Sequence, residues 1–203
     1  MIKIQGKIPR KVMIAVSGGV DSMAALDFLR RNHNVEVFHF NHGSEYSKRA
    51  EDLVRRYVDK YNLPFQIRGI TEGSKPKRMS QEEWWREERY KWIDSYADRH
   101  LPIVTCHHLD DCVETWLMSA FHGQTKLIPF QRNTNIFRPF LMTSKSSIKR
   151  YASNKRIDWI EDPSNQLTNF MRNRVRHKII PQVLKVNPGI RTTIRKKLVE
   201  TYL

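Results

Sequence analysis

Cysteine is scarce in this sequence, and its two cysteines are poorly spaced for a metal site. Cys106 and Cys112 have five residues between them, so they form neither a C-x-x-C pair nor a disulfide framework. Zinc or iron–sulfur sites built on thiolates are therefore not expected. The shortage of cysteine also predicts a reducing, cytoplasmic location.

The sequence also lacks a long hydrophobic run. Near its start, the longest apolar stretch is Val12 to Val16, which is too short for a signal-peptide core or a membrane span. Internal repeats and low-complexity tracts are absent from the sequence as well. We therefore expect a protein with a substantial core and no membrane association.

Acidic residues are outnumbered by basic ones. The chain has 36 Lys and Arg against 21 Asp and Glu, which gives a formal net charge of +15. Such an excess predicts a polyanionic partner, most often nucleic acid. The alternative, that the excess only aids solubility, remains open.

Short apolar runs alternate with amphipathic stretches over the first two thirds of the chain. We predict strands at 11–16, 35–41, 64–68 and 103–106, helices at 22–31, 48–61, 80–99 and 110–121, and a polar, basic loop at 69–79. This alternation predicts an α/β fold, with a Rossmann-like parallel sheet covered by helices on both faces. Such sheets bind ligands beyond the carboxyl ends of their strands, so the loops after the first, second and fourth strands should form one site.

The last third of the chain has a different pattern. We predict a loop at 124–135, an extended segment at 138–141, a basic helix at 144–156, a turn at 162–165 and basic helix from residue 172. On that helix Arg172 and Arg176 share one face and Arg174 and Lys178 another, which favours phosphate contacts over a merely solvated face. We therefore divide the chain into a catalytic domain at 1–135 and a basic, mainly helical appendage at 136–203.

A glycine-rich segment separates the first predicted strand from the first predicted helix, and its sequence is Ser17-Gly18-Gly19-Val20-Asp21-Ser22. Two glycines allow a tight turn, and N–H groups at a helix N-terminus form a cradle for anions. The serine hydroxyls add donors, and Asp21 is a candidate Mg²⁺ ligand. The segment matches neither G-x-x-x-x-G-K-[ST] nor G-x-G-x-x-G. The alternative is a simple turn followed by a helix cap.

Three acidic residues follow the fourth predicted strand. Asp110, Asp111 and Glu114 have spacings of three and four, which allow one helix face to carry all three. Clustered carboxylates need cations, and Mg²⁺ or a substrate ammonium group would meet that need. His107 and His108 precede them, where they could contact phosphate or a flipped base. A surface helix start rich in acids and an H-x₃-D metal site are the alternatives.

Several segments together resemble the tRNA(Ile)-lysidine synthase family of PP-loop enzymes. The glycine-rich segment resembles the loop of enzymes that cleave ATP between its α and β phosphates, and residues 107–115 resemble the motif H-H-x-D-D-Q-x-E-T. Five further segments match motifs of the family. Asn41-His42-Gly43 matches D-H-G, Glu82 with residues 86–90 matches E-x-x-x-R-x-x-R-Y, and residues 138–141 match R-P-L-L. Residues 161–165 match E-D-P-S-N, and residues 172–181 match R-N-R-x-R-x-x-x-x-P. Their order is that of the family, and together they cover roughly residues 12 to 189.

The chain departs from the family pattern at three places. Cys112 stands where the family has Gln, Asn41 replaces Asp, and Ser44-Glu45 replaces Leu-Arg. Contacts that depend on those family side chains are therefore not carried over to this chain.

The resemblance implies an adenine nucleotide α-hydrolase-like fold, with ATP and Mg²⁺ as cofactors and an appendage that completes the site and contacts tRNA. The resemblance implies that the catalytic residues are Asp21, Asp111, Glu114 and Arg86, and that the Mg²⁺ ligands are Asp21 and Asp110. It implies that ATP is bound by Ser17, Gly18, Gly19, Val20, Asp21, Ser22, Asn41, His42, His107 and His108. It implies that tRNA is bound by Arg172, Arg174, Arg176 and Lys178.

The implied reaction is that of an ATP-dependent ligase that forms a carbon–nitrogen bond. The C2 oxygen of cytidine 34 in the CAU anticodon of tRNA(Ile) is adenylated, and the ε-amine of free L-lysine then displaces AMP to give lysidine. The chain ends soon after its Arg-rich segment, so we expect a compact form without extra C-terminal domains. Basic residues of the last helix or a homo-oligomer would then supply tRNA-binding surface, and the candidates on that helix are Arg191, Arg195, Lys196 and Lys197.

Three other functions remain open at this point. A tRNA thiolase of the same loop class would need a cysteine that carries sulfur. A small-molecule amidating ligase would not need RNA. A non-catalytic RNA-binding protein is disfavoured by the retained acids Asp21, Asp111 and Glu114, because clustered carboxylates repel RNA.

Overall fold

The computed structural model describes residues 2–69, 76, 78–79, 81–97, 101–133, 135–166 and 170–202. Within these ranges the strands are β1 (Lys11–Ala15), β2 (Asn34–Asn41), β3 (Phe65–Gly69), β4 (Ile103–Val104), β5 (Gln131–Arg132) and β6 (Ile136–Phe137). The helices are α1 (Val20–Leu29), α2 (Glu45–Lys60), α3 (Gln81–Ala97), α4 (Leu109–Ala120), α5 (Lys145–Asn154), α6 (Met171–Arg174), α7 (Ile180–Val186) and α8 (Ile190–Tyr202), with a 3₁₀ turn (Pro163–Gln166) and a π-helical turn (Val175–Ile179). None of the helices in the described ranges has the length and apolar character needed to cross a membrane.

The strands form one mostly parallel sheet in the order β3-β2-β1-β4-β6-β5. β1 pairs in parallel with β2 and β4, so that Ile14 lies opposite Val37 on one side and Val104 on the other. The predicted Rossmann-like α/β sheet is therefore confirmed. Because the chain goes from β1 to β2 on one side and later to β4 on the other, the carboxyl ends of β1 and β4 flank a topological switch point, where open α/β sheets bind ligands.

Helices cover both faces of this sheet. On one face α1 and α2 pack against β1 and β2, and Val12, Ile14 and Leu26 are fully buried there. On the other face α3 packs against the sheet, and the rings of Phe38 and Trp92 stack with their centroids 3.6 Å apart. Beside the sheet, α4 and α8 share a further hydrophobic cluster. Consecutive strand residues therefore contribute to different cores, as the period of a strand requires.

The edge formed by β5 and β6 differs from the prediction. The sequence predicts a loop at 124–135 and an extended segment at 138–141, whereas the structure has antiparallel strands at 131–132 and 136–137. Two-residue strands are too short to show alternation in the sequence. β6 lies just beyond the predicted boundary at residue 135 and pairs with β4, so the sheet crosses that boundary. The functional division at that residue stays a prediction, and the predicted loop at 69–79 lies largely outside the described residues.

A buried carboxylate connects α1, α2 and α5. Asp27 is 2% exposed and accepts hydrogen bonds from the hydroxyls of Tyr57 and Tyr151, each at 2.7 Å, as well as from Arg30 and Arg31. Burial alone would raise the pKa of Asp27, but these hydrogen bonds outweigh burial and lower the pKa to about 2. The ionised carboxylate therefore stabilises the contact of α5 with α1 and α2.

We predict that Asp27→Asn lowers the free energy of unfolding by about 2 kcal/mol at pH 7. The folded pKa lies below the usual value of 3.8, so the stabilisation is present above that value and is lost as the pH falls toward 2. Urea unfolding at pH 7, 5 and 3 measures this. The wild-type protein should lose more stability than the variant between pH 5 and pH 3, and equal losses would contradict the prediction.

Candidate active site

The predicted phosphate loop connects β1 to α1 at the switch point of the sheet. Gly18 has a φ of +81°, a conformation that residues with a Cβ rarely adopt. A Cβ added there would lie 3.0 Å from the Cβ of Ala50, and the carbonyl of Gly18 accepts a hydrogen bond from the N–H of Ile160 at 3.0 Å. The loop is therefore held from two sides and has no room for a side chain at this glycine.

The two serines of the loop have different surroundings. Ser22 is buried, and its hydroxyl accepts from the N–H of Ser17 at 3.1 Å and donates to the carbonyl of Gly19 at 2.9 Å. Ser22 therefore shapes the loop, whereas Ser17 is exposed. Side chains cap α2, α4 and α5, but α1, which begins at Val20, has no side-chain cap. The N–H groups of its first turn have no partner within the helix and are suited to bind an anion.

Asp21, the second residue of α1, lies between two basic side chains. Lys145 Nζ donates to its Oδ2, and His108 Nε2 is 3.6 Å from its Oδ1, which is beyond hydrogen-bond length. Burial would raise the pKa of Asp21, but His108 and Lys145 outweigh burial and lower the pKa to about 2. Its Oδ1 is buried and has no hydrogen-bond partner in the described part of the chain. An ionised oxygen in this state fits a Mg²⁺ ion that also binds phosphate.

The pKa values of the two adjacent histidines after β4 are shifted in opposite directions. Burial lowers the pKa of His107 to about 3, so this ring is neutral, and its Nδ1 lies 3.0 Å from the hydroxyl of Thr105. Burial would lower the pKa of His108 as well, but the carboxylates of Asp111 and Asp21 outweigh burial and raise it. The backbone N–H of His108 donates to Asp111 Oδ2 at 2.9 Å, and the His108 side chain caps α4 by accepting from the backbone N–H of Asp111 at 3.3 Å. His107 is therefore a neutral hydrogen-bonding group, whereas His108 lies between two carboxylates.

Two arginines compensate the acids of α4. Arg176 donates to Glu114 twice, from Nε to Oε1 at 2.6 Å and from Nη2 to Oε2 at 3.0 Å. Oδ1 of Asp111 lies 3.6 Å from Arg176 and 3.8 Å from Arg172. The Glu114 side chain is 1% exposed, and burial raises its pKa even though Arg176 is close. Arg172 and Arg176, for which the resemblance implies tRNA binding, therefore face the acids of α4 in this structure.

Asp110, the third predicted acid, contacts the appendage instead. Its Oδ2 accepts from the backbone N–H of Lys145 at 2.7 Å, and its Oδ1 accepts from Arg191 Nε at 2.7 Å. Across the described ranges, no group of three His, Cys, Asp or Glu side chains is arranged to hold a metal ion. Since both oxygens of Asp110 are occupied, Asp21 is the better candidate of the two predicted Mg²⁺ ligands, and Arg191 is not free for the expected phosphate contact.

The larger of the cavities at this edge of the sheet has a volume of about 800 Å³. Its lining brings together Arg86 of α3, His107 after β4, Asp111 of α4 and Arg172 of α6. Glu114 is not among its described lining residues. The larger cavity therefore combines cationic groups with two acidic side chains, Glu83 and Asp111, which suits a reaction in which negative charge develops beside an incoming amine.

A smaller cavity of about 320 Å³ lies beside the phosphate loop, with Ser17, His42, Trp85 and residues 162–164 in its lining. The rings of His42 and Trp85 are 4.8 Å apart, and burial lowers the pKa of His42 to about 4. His42 Nδ1 and Trp85 Nε1 are buried without hydrogen-bond partners in the described part of the chain. Aromatic walls with a few unpaired polar atoms suit a planar, nitrogen-rich ring.

The side chain of Asn41, one of the departures from the family pattern, makes its hydrogen bonds to neighbouring residues of the chain. Its amide N–H donates to Glu51 Oε2 at 2.8 Å, and its amide oxygen accepts from the N–H of Gly43 at 2.8 Å. The aspartate that the family has here would bring a second carboxylate against Glu51, so asparagine removes a repulsion. Asn41 therefore shapes the turn that carries His42, and its predicted contact with ATP stays a prediction.

The remaining predicted tRNA contacts, Arg174 and Lys178, are exposed. They lie on α6 and on the π-helical turn that follows it, while Arg172 and Arg176 face α4. The four basic residues therefore lie on two faces, as their spacing predicts. One face contacts the acids of α4, and the other is exposed to solvent.

A family profile described as the PP-loop domain matches residues 2–183 of this sequence. The matched range includes the phosphate loop, the residues that line both cavities and the arginines that face α4. The chain belongs to the PP-loop family. This membership implies that the chain binds ATP.

Curated relatives of this PP-loop chain bear the name tRNA(Ile)-lysidine synthase. The protein from Haemophilus ducreyi is 31% identical over 194 residues, which cover 91% of this chain and 45% of the relative. The protein from Bacteroides thetaiotaomicron is 32% identical over 195 residues, with 91% and 46% covered. The chain therefore spans less than half the length of these relatives.

Solved structures with other activities share the PP-loop fold. The U34-tRNA thiolase NcsA from Methanococcus maripaludis, described with its [4Fe-4S] cluster, superposes with a TM-score of 0.76 at 18% identity, covering 96% of this chain and 72% of that one. The NH3-dependent NAD synthetase from Campylobacter jejuni gives a TM-score of 0.52 at 14% identity, covering 96% and 86%. At such identities the likeness concerns the fold alone.

The two cysteines of this PP-loop chain differ in exposure, since Cys112 is buried whereas Cys106 is partly exposed and lines the larger cavity. Cys112 has no exposed surface and lies in the cluster of α4 and α8, and Cys106 donates its thiol to the carbonyl of Ala15 at 3.7 Å. Burial raises the pKa of both thiols. Cys112, where the family has Gln, therefore contributes to packing.

Lys145 is a residue of this PP-loop site that the sequence motifs do not identify. It is the first residue of α5, and its side chain contacts Asp21 while its N–H contacts Asp110. The sequence contains one usable signal. A lysine in the first turn of a helix faces the positive end of the helix dipole, which is unfavourable unless acids lie close by.

We predict that Gly18→Ala lowers the affinity for ATP at least about tenfold, because a positive φ costs a residue with a Cβ about 1–2 kcal/mol and the Cβ contact with Ala50 adds to this. Isothermal titration with ATP measures the change. Gly123→Ala is the matched control, since Gly123 has a φ of +76° but nothing within 4 Å of the added Cβ. An equal loss of affinity in both variants would contradict the assigned role of the loop.

Proposed function

We propose that this chain is the ATP-using catalytic part of a tRNA(Ile)-lysidine synthase, an ATP-dependent ligase that forms a carbon–nitrogen bond. The observation that carries this proposal is a pair of cavities at the junction of β1 and the phosphate loop: Ala15 at the end of β1 lines the larger cavity, and Ser17 of the loop lines the smaller one. Two reactants can therefore approach one phosphate from different directions. The names of the relatives supply the chemical identity of the reactants.

ATP would bind with its phosphates at the open N–H groups of α1 and its adenine in the smaller cavity. The rings of His42 and Trp85 offer stacking surface there, and their unpaired nitrogen atoms offer hydrogen bonds to a purine. Asp21 Oδ1 would hold Mg²⁺, which neutralises charge on the phosphates. The α-phosphate would then lie near the end of β1, between the two cavities.

Cytidine 34 would enter the larger cavity after leaving the anticodon stack, as chemistry on a base requires. The volume of about 800 Å³ lies in the range of about 300–1,000 Å³ typical of small-molecule sites. In the first step, the C2 oxygen bonds to the α-phosphorus while the bond to pyrophosphate breaks. Arg86 and Arg172 line this cavity and would stabilise the negative charge that develops.

In the second step, the ε-amine of free L-lysine bonds to C2, the bond from C2 to the adenylate oxygen breaks, and AMP leaves. The amine has an ordinary pKa of about 10.4, so it arrives as an ammonium group and must lose a proton. Asp111 lines the larger cavity, and its Oδ1 has no guanidinium closer than 3.6 Å. Burial would raise the pKa of Asp111, but the neighbouring histidines and Arg172 outweigh burial and lower it. Asp111 is therefore ionised and suited to bind the ammonium group, whereas its lowered pKa makes it a weak base toward that group.

Glu114 would act indirectly. Both of its oxygens accept hydrogen bonds from Arg176, so neither is available to a substrate amine. Its role in the proposal is to hold Arg176 next to Asp111, which keeps the local charge balanced until lysine enters.

The exposed basic residues Arg174 and Lys178 would contact the tRNA backbone. A net charge of +15 favours such contacts, and binding through phosphates should weaken steeply with salt. Since the proposed substrates are tRNA, ATP and free lysine, we expect the protein to act in the cytoplasm.

A thiolase is the second candidate on grounds of fold. That activity needs a reactive thiol. Cys112 is buried, and Cys106 lines the larger cavity but has a pKa that its buried surroundings raise. Replacement of both cysteines with serine should therefore spare activity, whereas a thiolase would lose it.

The proposal is tested by incubating the protein with ATP, Mg²⁺, radiolabelled lysine and a tRNA(Ile) transcript with a CAU anticodon. We expect label to enter the RNA, and a transcript with cytidine 34 changed to uridine should remain unlabelled. Pyrophosphate release without incorporation of lysine would exclude lysine as the nucleophile, and equal labelling of both transcripts would exclude the proposed base.

A further inference from the structure

The lysine at the start of α5 differs from the other cations of the site in the acid that it contacts. Three arginines of the appendage face the acids of α4. Lys145, in contrast, donates to Asp21 in the first turn of α1. Its ammonium group therefore lies where the open N–H groups of α1 would receive phosphate.

This lysine occupies an electrostatically unfavourable position. It is the first residue of α5, after the cap Ser144, and a cation there opposes the helix dipole. Asp110 accepts a hydrogen bond from the backbone N–H of Lys145 at 2.7 Å, which fixes the start of α5 beside the first turn of α4. The contacts thus hold a lysine at a point where a helix ordinarily favours an acid.

Binding of a triphosphate would change the balance of charge around Asp21. Asp21 lies in the first turn of α1, so phosphate oxygens bound at that turn would repel its carboxylate strongly in a half-buried site. A cation must therefore remain between the carboxylate and the phosphates. The Lys145 side chain is 35% exposed, so it has freedom to turn toward a ligand.

We propose that Lys145 is the phosphate-binding lysine of this site, and that its ammonium group moves from Asp21 Oδ2 to the β- and γ-phosphate oxygens when ATP binds. The loop itself has no lysine like that of the G-x-x-x-x-G-K-[ST] type, and α5 supplies one from a distant part of the sequence. The move frees Asp21 for a cation and stabilises pyrophosphate as it leaves. This inference rests on the proposed binding of ATP at the loop.

Lys149 provides a matched control on the same helix. It lies one turn after Lys145 and pairs with Glu161 at 3.2 Å, where both side chains are largely exposed. Lys145→Met and Lys149→Met therefore remove the same charge from the same helix, and only the first removes it from the phosphate loop.

The test is to measure the affinities of ATP and of AMP for the wild-type protein and for both variants by isothermal titration. We expect Lys145→Met to weaken ATP binding roughly 10- to 100-fold, as for a lost hydrogen bond to a charged group, with AMP affinity changed less than about twofold. Lys149→Met should leave both affinities unchanged, and Lys145→Arg should restore most of the ATP affinity. An unchanged ratio of ATP to AMP affinity in Lys145→Met would overturn the inference, whatever the absolute affinities.

A second measurement uses the wild-type protein and does not depend on the variant folding. ATP should protect the amine of Lys145 from acetylation by acetic anhydride more than AMP does, with Lys149 as the internal reference in the same mass spectrum. Equal protection by both nucleotides would overturn the inference and leave the proposed function intact. If the wild-type protein binds no ATP at all, the proposed function and this inference fail together.

Discussion

Asp21→Asn protein is expected to release pyrophosphate at least about 100-fold more slowly than wild-type protein when ATP and tRNA are present. The substitution keeps the shape of the side chain and removes the charge that faces Lys145 and the open Oδ1 position. Steady-state release of pyrophosphate, with ATP varied at a fixed, low concentration of Mg²⁺, measures the effect. The loss should be partly reversed by higher Mg²⁺, since a neutral amide is a weaker ligand for a hard cation.

Asp59→Asn is the control for this variant, because Asp59 is an exposed acid of α2. It should release pyrophosphate at the wild-type rate. A rate for Asp21→Asn within about threefold of wild type would remove Asp21 from the mechanism and would leave the loop as a turn followed by a helix.

Removal of the arginine that faces Glu114 should have the largest effect on stability. We predict that Arg176→Met lowers the free energy of unfolding by about 3 kcal/mol at pH 8, because a buried carboxylate loses the partner that binds both of its oxygens. Urea unfolding measures the change. The double variant with Glu114→Gln should recover part of the loss, since it leaves no buried charge unpaired.

The loss of stability in Arg176→Met should depend on pH. Burial already raises the pKa of Glu114 in the wild-type protein, and removal of Arg176 raises it further. A raised folded pKa favours folding at low pH and loses that contribution as the pH rises through the folded value. The defect of Arg176→Met should therefore be smaller at pH 5 than at pH 8. Arg174→Met, at an exposed position of α6 just before the turn that carries Arg176, should change stability by less than about 0.5 kcal/mol at either pH.

Much of the sheet and the position of the phosphate loop follow from local sequence pattern. The apolar run at Val12 to Val16, the Gly18-Gly19 turn and the helix after it are neighbours in sequence, and the structure keeps them in one β–loop–α unit. The site after β4 is predictable for the same reason, because strand order at the switch point follows from alternating strands and helices.

The charge partners of the site are not predictable in this way. The pairs between Glu114 and Arg176, and between Asp21 and Lys145, join residues that are 62 and 124 positions apart. Helical spacing predicts which side chains share a face, but it does not predict what that face contacts. For this reason Arg172 and Arg176, which were expected to contact RNA, contact the carboxylates of α4 instead. The two-residue strands β5 and β6 were not predicted for a different reason, because they are too short to show the two-residue period of a strand.

The departures from the family pattern become intelligible only with the structure. Asn41 donates to Glu51 at 2.8 Å, a contact that an aspartate would turn into a repulsion. Cys112 fills a closed apolar cluster. Neither reason is visible in a single sequence, because both depend on which residues lie across the packing interface.

In the proposed reaction, the chain activates a tRNA base with ATP before an amine attacks that base. The most direct test is to incubate the protein with α-³²P-labelled ATP, Mg²⁺ and tRNA(Ile) with a CAU anticodon, in the absence of lysine. We predict that labelled AMP becomes attached to the RNA at cytidine 34 and is released as free AMP when lysine is added. RNA that stays unlabelled while labelled ATP is consumed, or label that enters a transcript with uridine 34 equally well, would contradict the account.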